Sequence, residues 1–415
     1  MTESNWSLPE TVVLQRIHDR LSTPTADVLA TIVDVAGNAY RRPGAKMLLD
    51  ADGTGMGSIT AGCLEDELIR TAEGVRESGR PEVVSYDLME DDEEDVWGLG
   101  VGCNGIIEVL LEPLDETYRP AVDAFESGRS IGVCTVVSAA AGTLSRGDRL
   151  YYRPEDGVFR RPDGRVVREE SGGSDRDDGG SRDSGTRDSD EEAADAGWPT
   201  DLLAEPAAEL TRMGKADTVS VPVGDGSVSV FIDGLAAPDD LVIFGTGHDV
   251  GPVTEFARDT DFRVTVVGFR GALDLEERFP AAHRTVTTSP ATVGEALTLD
   301  ERTYALVMTH NFVDDQLTVE SLLDSSVPYI GLMGPRERFE RMHEAFAEAG
   351  RSLSEADRSR LYTPVGLDLG GGSPYQIAHS IVAEVLAVSN GRTPQHLKAR
   401  EGHIHERVSV DPDTA

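Results

Sequence analysis

Lysine is nearly absent from this sequence. Of 415 residues only Lys46, Lys215 and Lys398 are lysines, and arginine supplies the rest of the 38 basic side chains, against 75 acidic ones. The net charge of −37 repels polyanions and argues against nucleic acid as a partner. Many carboxylates with few lysines are typical of an acidic, halophilic-type protein that stays soluble in concentrated salt. We therefore interpret the charge as a property of the whole surface.

Long apolar runs are also missing. No stretch of about 18 apolar residues occurs, so the sequence predicts no transmembrane helix. The amino terminus, MTESNWSLPE, lacks the basic and then apolar pattern of a signal peptide. We therefore expect a cytoplasmic protein without a membrane span.

Cysteine is scarce, with three residues and no CxxC spacing. An odd number without that spacing argues against a disulfide framework and against a four-ligand zinc site. Cys134 lies in the apolar run IGVCTVVS and is predicted to pack in a core. Cys63 and Cys103 each follow a glycine in a turn-like stretch, which is unusual for a core cysteine.

The chain is predicted to have two folded domains. Apolar strands over 29–37, 105–114 and 130–139, a hairpin over 45–59 and a helix over 64–78 indicate an α+β domain with an open sheet. After residue 238, strands alternate with helices, which predicts a doubly wound parallel sheet and an α/β protein overall. The predicted ranges are 8–167 plus 201–236 for the N-terminal domain, 168–200 for a disordered acidic insertion, 238–392 for the C-terminal domain, and 393–415 for a polar tail.

A nucleotide-binding turn is predicted at LVIFGTGHDVGP, where Gly245 and Gly247 lie between a strand and a helix. Glycines there permit a tight turn and a close approach of a pyrophosphate. The third glycine position is Val250, and Gly268 stands where an acid would bind a ribose hydroxyl. Arg270 follows and could meet a phosphate. The turn either binds a nucleotide or only maintains the fold.

Other polar residues follow the ends of predicted parallel strands. They are His310, Asn311, Arg336, Arg338 and Asp368. Each alone could be a helix cap or a surface charge. Because ligands bind at the carboxyl ends of parallel strands, we expect these residues to line a crevice for an extended, phosphate-bearing ligand.

The stretch GLGVGCNG places Cys103 among four glycines, after an acidic run over 90–95. Glycines permit positive φ and let a ligand approach the main chain, but they cost conformational entropy. The loop is therefore either a structural turn or one wall of a ligand pocket. In the second case a nearby arginine, such as Arg41 or Arg42, would offset the effect of the acids on the thiol.

These motifs together resemble those of the XdhC/CoxI family. TIVDVAGNAYRRPGAKMLL, GSITAGCLEDEL and WGLGVGCNGIIEVLLEP resemble its N-terminal domain. IFGTGHDVGPV, YIGLMGPRERFE and PVGLDLGGGSPYQIAHSIVAEVLAVSNGR resemble its C-terminal Rossmann domain. The resemblance covers nearly the whole chain except the acidic insertion and the two ends.

The resemblance implies an accessory protein for molybdenum hydroxylases such as xanthine dehydrogenase, aldehyde oxidase or CO dehydrogenase. Such a factor binds the molybdenum cofactor, as molybdopterin or its dinucleotide form, shelters it during sulfuration, and delivers it to the apoenzyme. The implied partners are that apoenzyme and a cysteine desulfurase-type sulfur donor, with a homodimer left open. Cys103 and Cys63 are candidate contacts to molybdenum or sulfur, and the full set of candidate cofactor-binding residues is Arg41, Arg42, Cys63, Cys103, Gly245, Gly247, His248, Asp249, His310, Arg336 and Asp368.

Two other functions stay open at this point. The glycine turn could belong to an NAD(P)-dependent oxidoreductase, although Gly268 and the lack of an evident proton-transfer pair weigh against it. The chain could also be an adaptor that bridges a sulfurtransferase and an apoenzyme without a ligand of its own.

Overall fold

The computed structural model describes residues 5–23, 26–37, 39–87, 105–140, 142–167, 197–271, 273–399 and 401. The chain divides into two compact units between Ala237 and Pro238. Three predicted features lie wholly or mainly outside the described residues: the glycine loop around Cys103, residues 168–196 of the insertion, and residues 402–415 of the tail. Among the described helices, none is long and apolar enough to cross a membrane.

The first unit contains two antiparallel sheets and four helices within the described residues. Its strands are β1 (Val28–Gly37), β2 (Lys46–Leu49), β3 (Gly55–Gly57), β4 (Glu82–Asp87), β5 (Gly105–Pro113), β6 (Ile131–Ala139), β7 (Arg149–Arg153), β8 (Val158–Arg160), β9 (Ala216–Val223) and β10 (Gly226–Leu235). Its helices are α1 (Glu10–Leu21), α2 (Glu65–Ser78), α3 (Arg119–Glu126) and α4 (Thr200–Met213).

The two sheets repeat one design. Their strand orders are β3-β2-β1-β5-β4 and β8-β7-β6-β10-β9, so each strand of the second sheet corresponds to the strand five places earlier. A helix precedes the first strand of each set, and another follows the third. Gly44 and Gly147 occupy equivalent turns, with φ of +96° and +92°, and their N–H groups donate to Ile32 and Val136 at 2.9 Å. We call the two halves the first and second repeat.

Each repeat packs one helix on its own sheet. In α2, Leu68, Ala72 and Val75 are buried against the first sheet, and the helix is capped by Gly79 in the left-handed region. In α4, Leu203 and Leu210 pack on the second sheet. Helices α1 and α3 pack together in a further core to which both sheets contribute residues, among them Leu29, Leu48, Ile131, Val133 and Tyr151.

The second unit is a parallel sheet with helices on both faces. Its strands are β11 (Asp240–Phe244), β12 (Arg263–Gly268), β13 (Arg284–Thr287), β14 (Thr303–Val307), β15 (Tyr329–Leu332) and β16 (Leu361–Tyr362). Its helices are α5 (Val250–Asp259), α6 (Leu275–Arg278), α7 (Val293–Ala296), α8 (Phe312–Leu323), α9 (Arg336–Glu348), α10 (Glu355–Ser359) and α11 (Pro374–Ser389).

The strand order of the second unit is β13-β12-β11-β14-β15-β16. All five pairings are parallel. Helices α5 and α11 cover one face, and α7, α8 and α9 cover the other. The direction of winding reverses between β11 and β14, which opens a crevice at the carboxyl ends of these two strands. The predicted doubly wound sheet is confirmed.

Several details differ from the sequence predictions. The N-terminal region has two sheets instead of one open sheet, because strands β6–β10 pair among themselves. Trp198 packs against the core of the second repeat and α4 begins at Thr200, so packed chain resumes before the predicted end of the insertion at 200. The predicted hairpin over 45–59 is confirmed by the antiparallel pairing of β2 with β3.

Candidate functional site

The glycine turn lies after β11, at the crevice where the strand order reverses. Gly245 has no room for a side chain, because a Cβ there would lie 2.4 Å from the carbonyl oxygen of Met308. At Gly247 a Cβ would lie 2.3 Å from Oδ1 of Asp249. Val250, at the third glycine position, is fully buried. Gly245 is therefore required by its close approach to the backbone, Gly247 leaves room for the Asp249 carboxylate, and the third position serves the core.

Two predicted site residues meet across this crevice. Nε2 of His310, which follows β14, lies 2.8 Å from Oδ2 of Asp249, which follows β11 and precedes α5. His310 has φ +59°, a left-handed conformation that is uncommon for residues with a Cβ. Its side chain is 57% exposed, against 20% for Asp249, so the imidazole covers the carboxylate from the solvent side.

The end of β12 differs from that of an ordinary dinucleotide site. A Cβ at Gly268 would lie 3.1 Å from Leu275 and 3.2 Å from Thr246, so apolar packing fills the position where an acid would reach a ribose. The guanidinium of Arg270 is largely exposed and lies 3.6 Å from a carboxylate oxygen of Asp314 in α8. Arg270 is thus paired within the chain.

The two arginines that follow β15 have different surroundings. Arg338 is paired with the buried carboxylate of Asp315 and lies over the ring of Phe312 at 5.8 Å. The amide and hydroxyl of Thr309, next to His310, also donate to Asp315, at 3.2 Å and 2.5 Å. Arg338 is therefore part of the packing beneath the crevice. Arg336 begins α9 and is exposed, so it alone of the two faces solvent.

Two other predicted residues of this unit are exposed on the same edge of the sheet. His248 lies in the glycine turn, and Asp368 lies in the segment after β16. That segment is exposed throughout residues 368–376, and more than half of the surface of both Leu369 and Tyr375 is accessible. The hydroxyl of Tyr375 donates to Glu255 at 3.1 Å, which ties α11 to α5.

The arginine pair of the first unit lies in the connection between β1 and β2. Arg41 forms an ion pair with Glu10 at the start of α1. Arg42 is exposed. This connection returns to the sheet at Gly44, whose positive φ and hydrogen bond to Ile32 fix the turn. The two neighbouring arginines are thus held differently, one against a helix and one toward solvent.

Cys63 lies in the loop between β3 and α2, and its side chain is exposed. The loop is held from inside by Thr60, whose Oγ1 accepts hydrogen bonds from the amides of Gly62, Cys63 and Leu64 at 3.2–3.4 Å. The same hydroxyl donates to the buried carboxylate of Glu65 at 2.8 Å. This network fixes the backbone around Cys63 while leaving its thiol accessible.

The other cysteines bear on the predicted metal or sulfur contact. Cys134 is fully buried in the second repeat, and burial raises the pKa of its thiol, as expected for a core residue. Cys103 lies outside the described residues, so the predicted contact of Cys103 and Cys63 with molybdenum or sulfur stays a prediction. Within the described ranges no group of three or more His, Cys, Asp or Glu side chains is arranged to hold a metal ion.

Sequence reasoning missed the residues that support the site. Thr60 and Glu65 hold the cysteine loop, and Asp315 holds the residue before His310. The signal for Asp315 is its place in the first turn of a predicted helix after a strand, with an arginine following the next strand. Thr60 and Glu65 flank the glycine–cysteine motif in the sequence, and both are buried, whereas Gly62 and Cys63 are exposed.

Two family models match separate parts of the chain. The model of the XdhC and CoxI family matches residues 22–87, and that of the XdhC Rossmann domain matches residues 241–385. The first range contains Arg41, Arg42 and Cys63. The second contains the glycine turn and His310.

Similar proteins extend over most of the chain. A Bacillus subtilis protein, named as a probable xanthine dehydrogenase component, is 27% identical over 363 residues, covering 86% of this chain and 92% of its own. The Escherichia coli uncharacterized protein YqeB is 29% identical over 189 residues, covering 45% of this chain and 34% of its own.

A solved structure agrees with the fold. The crystal structure of a xanthine dehydrogenase from Bacillus halodurans has a TM-score of 0.67 and 27% sequence identity, and the similarity covers 93% of this chain and 97% of that one. The two model matches, the nearly full-length relative and this structure agree with one another. The chain therefore belongs to the XdhC/CoxI family of xanthine dehydrogenase accessory proteins, and residues 241–385 match the XdhC Rossmann domain of that family.

Proposed function

We propose that this chain binds the molybdenum cofactor as its cargo, shelters it while sulfur is added, and passes it to a molybdenum hydroxylase. The observation that carries the proposal is the crevice of the XdhC Rossmann domain, where the turn at 245–249 and His310 meet at the point of strand reversal. Ligands of doubly wound folds bind at that point.

The chemistry of the exposed residues suits such a cargo. The cofactor carries a phosphate on its pterin, and Arg336, exposed at the start of α9, can pair with it. The positive end of the α9 dipole disfavours an arginine at that position unless an anion lies nearby. Arg42, exposed in the family's arginine block, is a second candidate for the same kind of contact in the first unit.

A thiol is a soft ligand that can hold or exchange sulfur at a metal centre. Cys63 is the exposed thiol of the described residues, on a loop fixed by Thr60 and Glu65. In this proposal a cysteine desulfurase-type donor supplies the sulfur, and Cys63 and Cys103 are the candidate thiols for a molybdenum or sulfur contact. The client is an apoenzyme of the xanthine dehydrogenase class.

The proposal is tested by producing the chain in cells that make the cofactor and measuring the fluorescent oxidised pterin that purifies with it. Addition of the loaded protein to a cofactor-free hydroxylase should restore its activity. Arg336→Ala should weaken pterin retention and delivery. Arg341→Ala removes another exposed arginine of α9 and should leave both unchanged.

Two outcomes would contradict this function. Protein that purifies without pterin, yet still stimulates maturation of a client, would indicate an adaptor without a ligand. Tight binding of NADH or NADPH with turnover of a substrate would indicate an oxidoreductase. Equal retention of the pterin by Arg336→Ala and wild type would remove Arg336 from the site.

A further inference from the structure

The space above Gly247 is filled by two side chains of the protein itself. A Cβ built on Gly247 would lie 2.3 Å from Oδ1 of Asp249 and 3.4 Å from both Cδ2 and Nε2 of His310. The glycine thus makes room for the Asp249–His310 pair.

In folds of this class the second glycine normally leaves that room for a pyrophosphate, which approaches the main chain and the N-terminus of the following helix. Here the same helix is α5, and Asp249 occupies its N-cap position without a side-chain capping hydrogen bond. The carboxylate therefore stands beside the amides that would bind an anion, where its charge opposes that of a pyrophosphate.

The pair is held in place from both sides of the crevice. Asp249 is fixed by the start of α5, whose next residue, Val250, is fully buried. His310 is held through the two residues before it. The amide of Met308 donates to the carbonyl of Phe244 at 2.9 Å, and the hydroxyl of Thr309 donates to Asp315. The left-handed backbone of His310 is a conformation that the surrounding structure imposes.

The neighbouring ribose position is closed as well. Leu275 and Thr246 pack within about 3.3 Å of the place where a side chain at Gly268 would begin. Both anchors of an ordinary dinucleotide are thus occupied by the chain, one by the Asp249–His310 pair and one by packing.

We propose that the Asp249–His310 pair is a latch that excludes pyrophosphate-bearing nucleotides from the glycine turn, with Asp249 as the residue that determines this specificity. The proposal deepens the proposed function, since it assumes that the crevice is the ligand site. A ligand that places a pyrophosphate on the turn must first displace the Asp249 carboxylate. The crevice then discriminates among phosphate-bearing ligands by charge and by available space.

The latch is tested with ADP-ribose as the probe, by calorimetry on the full-length chain without cargo or client. Asp249→Ala removes both charge and volume, and affinity for ADP-ribose should rise roughly tenfold or more. Asp249→Asn keeps the volume and removes the charge, so its gain should be smaller. Asp259→Ala removes an acid from the other end of α5 and should match wild type.

A second variant guards against misfolding at position 249. His310→Gly should fold, because glycine tolerates the positive φ at this position. It removes the imidazole that holds the Asp249 carboxylate, so ADP-ribose should displace the carboxylate more easily and bind more tightly than in wild type. Micromolar binding by wild type, or no gain in folded Asp249→Ala and His310→Gly, would overturn the latch. Delivery of the cofactor is measured separately with Arg336→Ala, so failure of one proposal is distinguishable from failure of the other.

Discussion

Lys46 of the first repeat is paired with Asp233 of the second, with Nζ 2.6 Å from a carboxylate oxygen. The equivalent residues form the reciprocal pair, since Arg149 of the second repeat lies 2.6 Å from Glu112 of the first. The strand registers show that these residues are equivalent. The two cations, Lys46 and Arg149, lie opposite Thr31 and Thr135, respectively. The two acids, Glu112 and Asp233, lie opposite Leu29 and Val133, respectively. Each repeat thus supplies the counter-ion for the other.

Removing one partner of these pairs should be strongly destabilising, because all four side chains are buried. We expect Lys46→Met to lower the free energy of unfolding by about 3–5 kcal/mol, since it leaves Asp233 charged and unpaired. Lys46→Met combined with Asp233→Leu should recover much of the loss. Arg212→Ala, which breaks an exposed pair with Glu209, should cost under about 1 kcal/mol. Urea unfolding at constant salt measures the free energy of unfolding of wild type and of the three variants.

Asp315 should support the crevice from below. Its buried carboxylate accepts hydrogen bonds from Thr309 and pairs with Arg338, so Asp315→Ala should cost about 3–5 kcal/mol. The adjacent Asp314 pairs with the exposed Arg270 across 3.6 Å, and Asp314→Ala should cost under about 1 kcal/mol. Thermal denaturation of the two variants compares them directly. A loss for Asp315→Ala as small as that expected for Asp314→Ala would show that the Asp315 network contributes little.

Asp239, at the start of the second unit, should make stability depend on pH. Burial raises the pKa of its carboxyl to about 6, with Arg302 opposing the shift and Asp240 and Asp300 adding to it. The pKa of Asp239 in the folded protein exceeds the unfolded value near 3.8. Its favourable contribution to the free energy of unfolding is therefore complete below about pH 4 and is lost as pH rises through 6.

Asp239→Asn should therefore stabilise the protein at pH 7 by about 1 kcal/mol, after allowance for partial exposure, and should change little at pH 4. Unfolding measured at both pH values gives the difference. A variant that loses stability equally at both would indicate that the Asp239 carboxylate makes a favourable contact instead.

Thiol labelling should separate the cysteines by position. Cys63 is exposed and should react with N-ethylmaleimide in the native protein, whereas the buried Cys134 should react only after unfolding. Mass spectrometry of peptides from native and unfolded protein reads out each site. We also expect bound cofactor to protect Cys103 from labelling, because Cys103 is a candidate contact of the cofactor. Labelling of Cys134 in the native state would show that the second repeat opens easily.

Deletion of residues 169–192 should leave the fold intact. The deleted sequence contains no apolar side chain, and in the first repeat the equivalent connection, from β3 to α2, takes only residues 58–64. Shortening a loop changes its closure entropy slowly, by about 0.6 kcal/mol for each halving of length. Thermal denaturation in concentrated salt should show a small shift, and a drop of many degrees would contradict the prediction.

The sequence was sufficient to predict most of the second unit because β11, β12, β14 and β15 are apolar runs. The strand β13 escaped notice, since Arg284–Thr287 lies at the sheet edge, partly exposed, and lacks an apolar pattern. The Asp249–His310 contact joins residues 61 positions apart and depends on which strands are neighbours. Periodicity predicts strands but does not specify their order.

The first unit was harder for the same reason. The predicted strands and hairpin are present, but their division between two sheets follows from pairings such as β10 with β6 across nearly one hundred residues. The scarcity of lysine drew attention to Lys46 without indicating its partner. That partner lies in the other repeat, and only the three-dimensional arrangement brings the two together.

The reciprocal ion pairs suggest how the first unit could have arisen in evolution. Among the described residues, the buried cation of each half of the first unit is paired with an acid of the other half, in the manner of an isologous dimer, in which residue i meets j and j meets i. A half-length ancestor that paired with itself, followed by gene duplication and fusion, would produce this contact pattern. Joining the copies would release them from symmetry, and equivalent connections could then diverge into a cysteine loop in one copy and a long acidic segment in the other.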